Sequence, residues 1–146
     1  MSIRTDRVRI VGLLKKKEGI SREEFSSHWL NKHAPLFTSL EITKTNLSKY
    51  EQVTSSILIL TAIVSHAESN LECHPSSDPV AAALEQVVPL AKWDGMAVFE
   101  GESFEKIMEV FSSPEYFAKV APDEDTFIDR DATQFLALDL ATLIGI

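Results

Sequence analysis

The sequence predicts an α+β fold, a four-stranded antiparallel sheet with helices on one face. Two observations carry that prediction. The elements alternate as strand, helix, strand, extra helices, strand, helix, strand, which makes two β-α-β halves. The second concerns how that sheet is covered: the first and last strands are apolar on both sides, where a solvated face would alternate with polar residues, so the face without helices needs an apolar cover too. At 146 residues the chain fits one domain, residues 1–146, with a helical insert over about 54–92.

Arg7 to Lys15, RVRIVGLLK, is the first strand, with Val8, Ile10, Gly12 and Leu14 on one side and Val11 and Leu13 on the other. Gly19 breaks the chain. Ser21-Arg22-Glu23-Glu24 is a capping box, in which the serine hydroxyl and the glutamate carboxylate each accept the other residue's amide. A helix follows to about Lys32, with Phe25, Trp29 and His33 on one stripe. Ala34-Pro35 is expected to restart the chain, because a residue before proline is pushed out of the helical region, and a short helical turn runs to Leu40.

Thr43 to Val53 reads as the second strand. Ile57 to Val64 is read as helix, Ser65 to Ser77 as loop, and Asp78-Pro79 as the start of a helix that Pro89 stops. Trp93 to Glu100 is the third strand, with Gly95 marking a bulge or a close backbone approach. Ser103 caps a helix carrying Phe104, Ile107, Met108 and Phe111 on one face. Ser113-Pro114 begins a shorter helix to about Val120, Ala121 to Asp131 is an acidic loop, and Thr133 to Thr142 is the last strand. This βαββαβ order is the ferredoxin-like arrangement. Its two crossover helices cover only one face. The economical cover for the other is a second copy across a two-fold axis, so the sequence predicts a homodimer through the sheet faces.

Composition excludes several classes. Hydrophobic residues at 45% and charged residues at 25% are globular values and argue against disorder. A net charge of −8 opposes nucleic acid and anionic membranes as partners. The longest apolar run, Ile57 to Val64, falls far short of the ~20 residues of a membrane span. Residues 1–6 lack the apolar core of a secretory signal, and Cys73 as the single cysteine fits a reducing compartment, so a cytoplasmic location is expected.

The run VGLLKKKEGISREEFSSHWLNKHAPL, Val11 to Leu36, resembles the opening of EthD-domain proteins of the dimeric α+β barrel superfamily. Lys49-Tyr50-Glu51-Gln52, Trp93-Asp94-Gly95 and Asp123-Glu124-x-x-Phe127-x-Asp129 resemble the later signatures of the family, in the same order. The resemblance spans roughly residues 7–141 and is least specific over the insert. It implies a cofactor-free fold, a scaffold on which function varies among polyketide cyclases, anthrone-type monooxygenases, haem-degrading enzymes, muconolactone isomerases and fungal polyketide decarboxylases and dehydratases. Many members carry a second histidine after the Tyr-x-Gln signature, whereas this chain continues Val53-Thr54-Ser55.

Three residues are candidates for catalysis. His33 ends the aromatic stripe at the rim of an apolar interior, and histidine titrates where proton transfer to carbon or to a phenol oxygen needs it. Its alternative is a helix-end residue complementing the dipole. Tyr50 is a candidate hydrogen-bond donor to a substrate carbonyl, or an edge-strand tyrosine. Asp94 is a candidate to orient the histidine, or turn chemistry before Gly95. Trp29, Phe25, Phe37 and Phe127 are the candidate substrate-binding aromatics. Asp123, Glu124, Asp125, Asp129 and Asp131 lack the glycine of a calcium loop and read as solvated. His66, Cys73 and His74 offer too few ligands for zinc, so no metal is expected. What the resemblance to fungal members implies is decarboxylation of a hydroxylated aromatic polyketide acid, with His33 as the expected proton donor. Cyclisation or dehydration of a polyketone, a non-catalytic small-molecule binder and haem ligation by His33 are the alternatives.

Overall fold

A computed structural model describes residues 3–54, 93–141 and 143. The helices expected at Ile57–Val64 and after Asp78, and His66, Cys73 and His74, lie outside the described residues. Strand β1 is Val8–Lys16. Helix α1, Arg22–His28, starts on the expected capping box: the Glu24 amide donates to Ser21 Oγ at 3.1 Å and the Ser21 amide to Glu24 Oε2 at 2.7 Å.

The helix does not stop before Pro35. It widens into a π turn, Trp29–His33, and runs on as α2, Ala34–Ser39, with Ala34 in ordinary helical geometry. Proline lacks an N–H and its ring clashes with the carbonyl four residues back. A π turn carries its bonds one residue further, and here the Ala34 amide donates to the Trp29 carbonyl. The expected restart at Ala34 is therefore replaced by a bulge.

The second strand begins later than expected. Leu40 is extended, and Glu41–Asn46 forms α3, so β2 is only Lys49–Thr54. Asn46, buried, anchors that turn by donating at 2.8 Å to both the Lys106 carbonyl and Glu109 Oε2. Strand β3 is Gly95–Gly101, and α4, Phe104–Ser112, takes the expected cap from Ser103. Ile107 and Val110 fill its buried face, while Met108 is exposed at the edge of that face rather than within it.

The acidic segment is a helix, not a loop. A second π turn, Tyr116–Val120, leads into α5, Ala121–Phe127, and β4 follows at once as Ile128–Asp139. The device is the same: the Ala121 amide donates to the Tyr116 carbonyl, one residue before Pro122.

All pairings are antiparallel, in the order β2-β3-β1-β4. The register puts Ile10, Leu14, Phe99, Ala97, Phe135, Ala137 and Tyr50 on the helix side. Phe25, Trp29, Phe37, Leu40, Ile107, Val110, Val120 and Phe127 close the core above them. Each large side chain removed from water contributes up to ~1.5–3 kcal/mol. The opposite face carries Arg9, Val11, Leu13, Val53, Val98, Leu136 and Leu138, of which Val53, Leu136 and Leu138 are exposed. Glu100, buried at one end of it, accepts from Arg7 at 3.0 Å and Arg9 at 2.8 Å.

Candidate active site

The polar groups beside the core come from four elements: His33 from the first π turn, Tyr116 from the second, Asp123 and Glu124 from α5, and Arg130 from β4. His33 ends the first turn and is 4% exposed. Its Nδ1 lies 3.0 Å from Asp123 Oδ2, and its Nε2 lies 3.9 Å from Glu124 Oε1. Asp123 Oδ1 in turn meets His28 Nε2 at 2.7 Å. The ring of Phe37 stacks on His33 and that of Phe127 meets it edge-on. Burial holds the His33 pKa below its ordinary value, against the pull of Asp123 in the other direction.

Glu124 is the convergence point. Its Oε2 accepts from the Tyr116 hydroxyl at 2.6 Å and from Arg130 at 3.1 Å. Burial raises its pKa, and the charges of Asp123 and Asp125 add to that. The hydrogen bond from Tyr116 and the charge of Arg130 oppose the rise without cancelling it. Arg130 also donates to the Ala121 carbonyl at 2.8 Å and pairs with Asp125 at 3.1 Å. Burial and the adjacent Glu124 push the Tyr116 phenol well above the usual tyrosine range, so it donates and stays protonated.

Beside Glu124 opens a cavity of about 480 Å³ between β1, β4, α4 and α5. Ile10, Leu14, Phe111, Ile128, Phe135 and Met108 give it apolar walls, and Tyr116, Glu124, Arg130 and Thr133 are its polar groups. A largely apolar concavity with a few converging polar groups and a perturbed carboxyl is the form a small-molecule site takes.

The candidates named from sequence fall in three places. His33 and Phe127 join the cluster behind Glu124 and do not line the cavity. Phe25, Trp29 and Phe37 are at most 1% exposed and pack as core, with Trp29 against Gly95. Tyr50 is stacked on Phe99; its hydroxyl accepts from Gln52 Nε2 at 2.9 Å. Burial pushes that phenol up to about 12, with the Gln52 and Trp29 hydrogen bonds opposing and the charge of Glu124 adding. Asp94 does not hold His33. Its Oδ2 accepts the Lys16 amide at 2.9 Å and Oδ1 pairs with Arg22 at 3.2 Å, which pins the strand β1 exit to α1; Asp123 has the orienting place instead.

Tyr116, Glu124 and Arg130 were not singled out as a site from the sequence. A signal was present: Glu124 stands four residues after Val120 and three before Phe127, on the inward stripe of a helix whose Pro122 and acidic first turn mark its start. Among the described residues no group of three or more His, Cys, Asp or Glu is arranged to hold a metal ion. Nor, among them, is any helix long and apolar enough to cross a membrane.

These features define a ferredoxin-like α+β domain with a histidine–carboxylate cluster beside an apolar cavity. The chain belongs to the EthD domain family, whose model matches residues 17–131. It is similar to a solved EthD (ethyl tert-butyl ether D) family protein from Bacillus halodurans C-125, 14% identical, with a TM-score of 0.55 over 92% of this chain and 99% of that one. A dimeric protein of unknown function and ferredoxin-like fold from Bacteroides fragilis is 12% identical, with a TM-score of 0.56 over 95% and 100% of the two chains. A DABB family protein with a ferredoxin-like fold from Mesorhizobium loti is 13% identical, with a TM-score of 0.50 over 94% and 97%. At such identities the likeness speaks for the fold alone. No curated protein matches the chain significantly.

Proposed function

We propose that this protein is a cofactor-independent, polyketide-tailoring lyase that decarboxylates a hydroxylated aromatic acid by proton transfer from Glu124. The observation that carries this reading is the half-buried Glu124 carboxyl, raised in pKa, at the wall of the apolar cavity with His33 behind it. The cavity volume lies within the ~300–1,000 Å³ of small-molecule sites and its aromatic walls suit a flat ring.

The acid form of Glu124 gives its proton to the ring carbon bearing the substrate carboxylate, while an ortho hydroxyl feeds electrons into the ring. The carbon–carbon bond then breaks, its electron pair restores aromaticity, and carbon dioxide departs. Glu124 is left as a carboxylate. Arg130 faces the cavity to attract the substrate anion, and Tyr116 holds Glu124 in place. His33, neutral through burial, turns an available ring nitrogen toward Glu124 and can take or return a proton there. The same carboxyl, ionised, would abstract a proton beside a carbonyl, which is the chemistry of a cyclase or dehydratase.

The working unit in this reading is a cytosolic homodimer in which two sheet faces cover Val53, Leu136 and Leu138. The description of the Bacteroides fragilis neighbour as dimeric supports it.

The test is incubation of the purified protein with a panel of ortho-hydroxylated one- to three-ring aromatic acids, read by mass spectrometry. Loss of one carbon dioxide that Glu124→Gln slows by ~100-fold or more is expected. Loss of one water or a new isomer moves the reaction to dehydration or cyclisation. Binding with no turnover makes the protein a small-molecule carrier, and equal rates for wild type and Glu124→Gln remove Glu124 from the chemistry.

A further inference from the structure

Asp123 is shared between two histidines that differ in their access to water. His33 is sealed in the interior, with a side chain 5% exposed. His28, 22% exposed, opens onto a separate surface groove that it shares with Glu23, Glu24 and Lys32, and Phe127 packs on its ring at 4.5 Å. None of the groove residues lines the cavity beside Glu124. The two rings hold one oxygen each of a single carboxylate, at 2.7 and 3.0 Å.

We infer that His28 is a positioning residue acting through Asp123 on the Glu124–His33 pair. By binding Oδ1 it turns Oδ2 onto His33, which fixes the His33 proton on Nδ1 and leaves the Nε2 lone pair facing Glu124. The pair then holds one exchangeable proton, on Glu124 Oε1 or on His33 Nε2, and the charge of His28 sets which. This rests on the reading of Glu124 as the reacting group.

The sign follows from Coulomb's law. Protonated His28 offsets the charge of Asp123, His33 becomes less basic, and the proton sits on Glu124, its acid form. Neutral His28 restores the full pull of Asp123 on His33, and the proton moves to Nε2. The depression of His33 by the charge of His28 has the same sign. The charged groups around His28 are Asp123 from α5 and Glu23, Glu24 and Lys32 from its own helix and π turn. Those around His33 are Asp123, Glu124 and His28. At 3.9 Å Nε2 and Oε1 stand within ion-pair reach, and a side-chain motion of about 1 Å would bring them to hydrogen-bond distance.

The experiment is a pH titration of the histidine ring nitrogens by long-range ¹H–¹⁵N correlation, on the intact protein with no substrate. In the wild type His33 should show the Nδ1–H tautomer. His28→Gln, which keeps a donor toward Oδ1 and removes the charge, should keep that tautomer and move the His33 midpoint upward. His28→Phe, which removes donor and charge, should let His33 exchange between tautomers. A wild-type His33 in the Nε2–H form overturns the proposal whether or not the variants fold. So does an unchanged His33 midpoint in His28→Gln. Failure of the decarboxylation assay with these couplings intact sinks the proposed reaction and leaves the role of His28 standing.

Discussion

Gly95→Ala tests whether Trp29 is core or a movable wall of a ligand site. Gly95 lies in β3 with no positive φ, so alanine meets no backbone barrier there. A Cβ at that position would stand 2.5 Å from Trp29 Cζ3, 3.0 Å from Cη2 and 3.2 Å from Cε3. Carbon atoms pack at about 3.5–4.0 Å, so the indole must retreat by roughly 1 Å. It has nowhere to go: Trp29 is 1% exposed, the Phe25 ring centroid is 5.6 Å away, and the Trp29 carbonyl is held by Gln52 and the Ala34 amide. Overpacking of this kind costs ~1–3 kcal/mol. The smaller entropy of the unfolded chain returns ~0.4–1 kcal/mol. The net destabilisation is ~1–2 kcal/mol, a fall in Tm of roughly 2–8 °C for a chain of this length. Urea and thermal melts followed by far-ultraviolet circular dichroism measure it. Trp29→Phe removes the clashing ring atoms, so the double variant should be more stable than the two single effects summed, by ~1–2 kcal/mol. A Gly95→Ala protein as stable as the wild type, or strict additivity, would show that the indole has free space and refute the packing argument.

Three other outcomes are expected. His33 has a folded pKa below its unfolded value of ~6.5, so the stability it contributes is fully present above that pH and is lost as pH falls through the folded value. His33→Phe should flatten that part of the curve, measured as the pH dependence of the urea midpoint relative to wild type. Arg130 holds the Glu124 pKa down, so Arg130→Gln should extend the acid-dependent limb of the pH–rate profile to higher pH; an unshifted limb separates Arg130 from Glu124 in solution. Leu138→Asp, on the open sheet face, should convert a dimer to monomer in light scattering at micromolar concentration, and a monomeric wild type refutes the sheet-face dimer.

The sequence alone determined the parts that depend on near neighbours. The capping box at Ser21, the cap at Ser103 and the first strand follow from local hydrogen bonding and side-chain period and appear within a residue of where they were read, whereas the last strand starts five residues earlier than its pattern suggests. Gly95 as a close-approach position was also legible, though not its partner. Helix continuity through Ala34-Pro35 and Ala121-Pro122 was not. The pre-proline rule describes a dipeptide, whereas a π turn survives only where packing holds it, as at the Trp29 carbonyl, which takes a second bond from Gln52. The candidate site was decided by tertiary structure for the same reason. Asp123 meets His33 across 90 residues of chain, and Glu124 lies one position further along the same helix. No spacing rule reaches that far. Only the docking of α5 against the first π turn brings Asp123 onto His33 and leaves Glu124 half-buried beside the cavity, because the partners and solvent exposure that set how a carboxyl behaves come from distant parts of the chain.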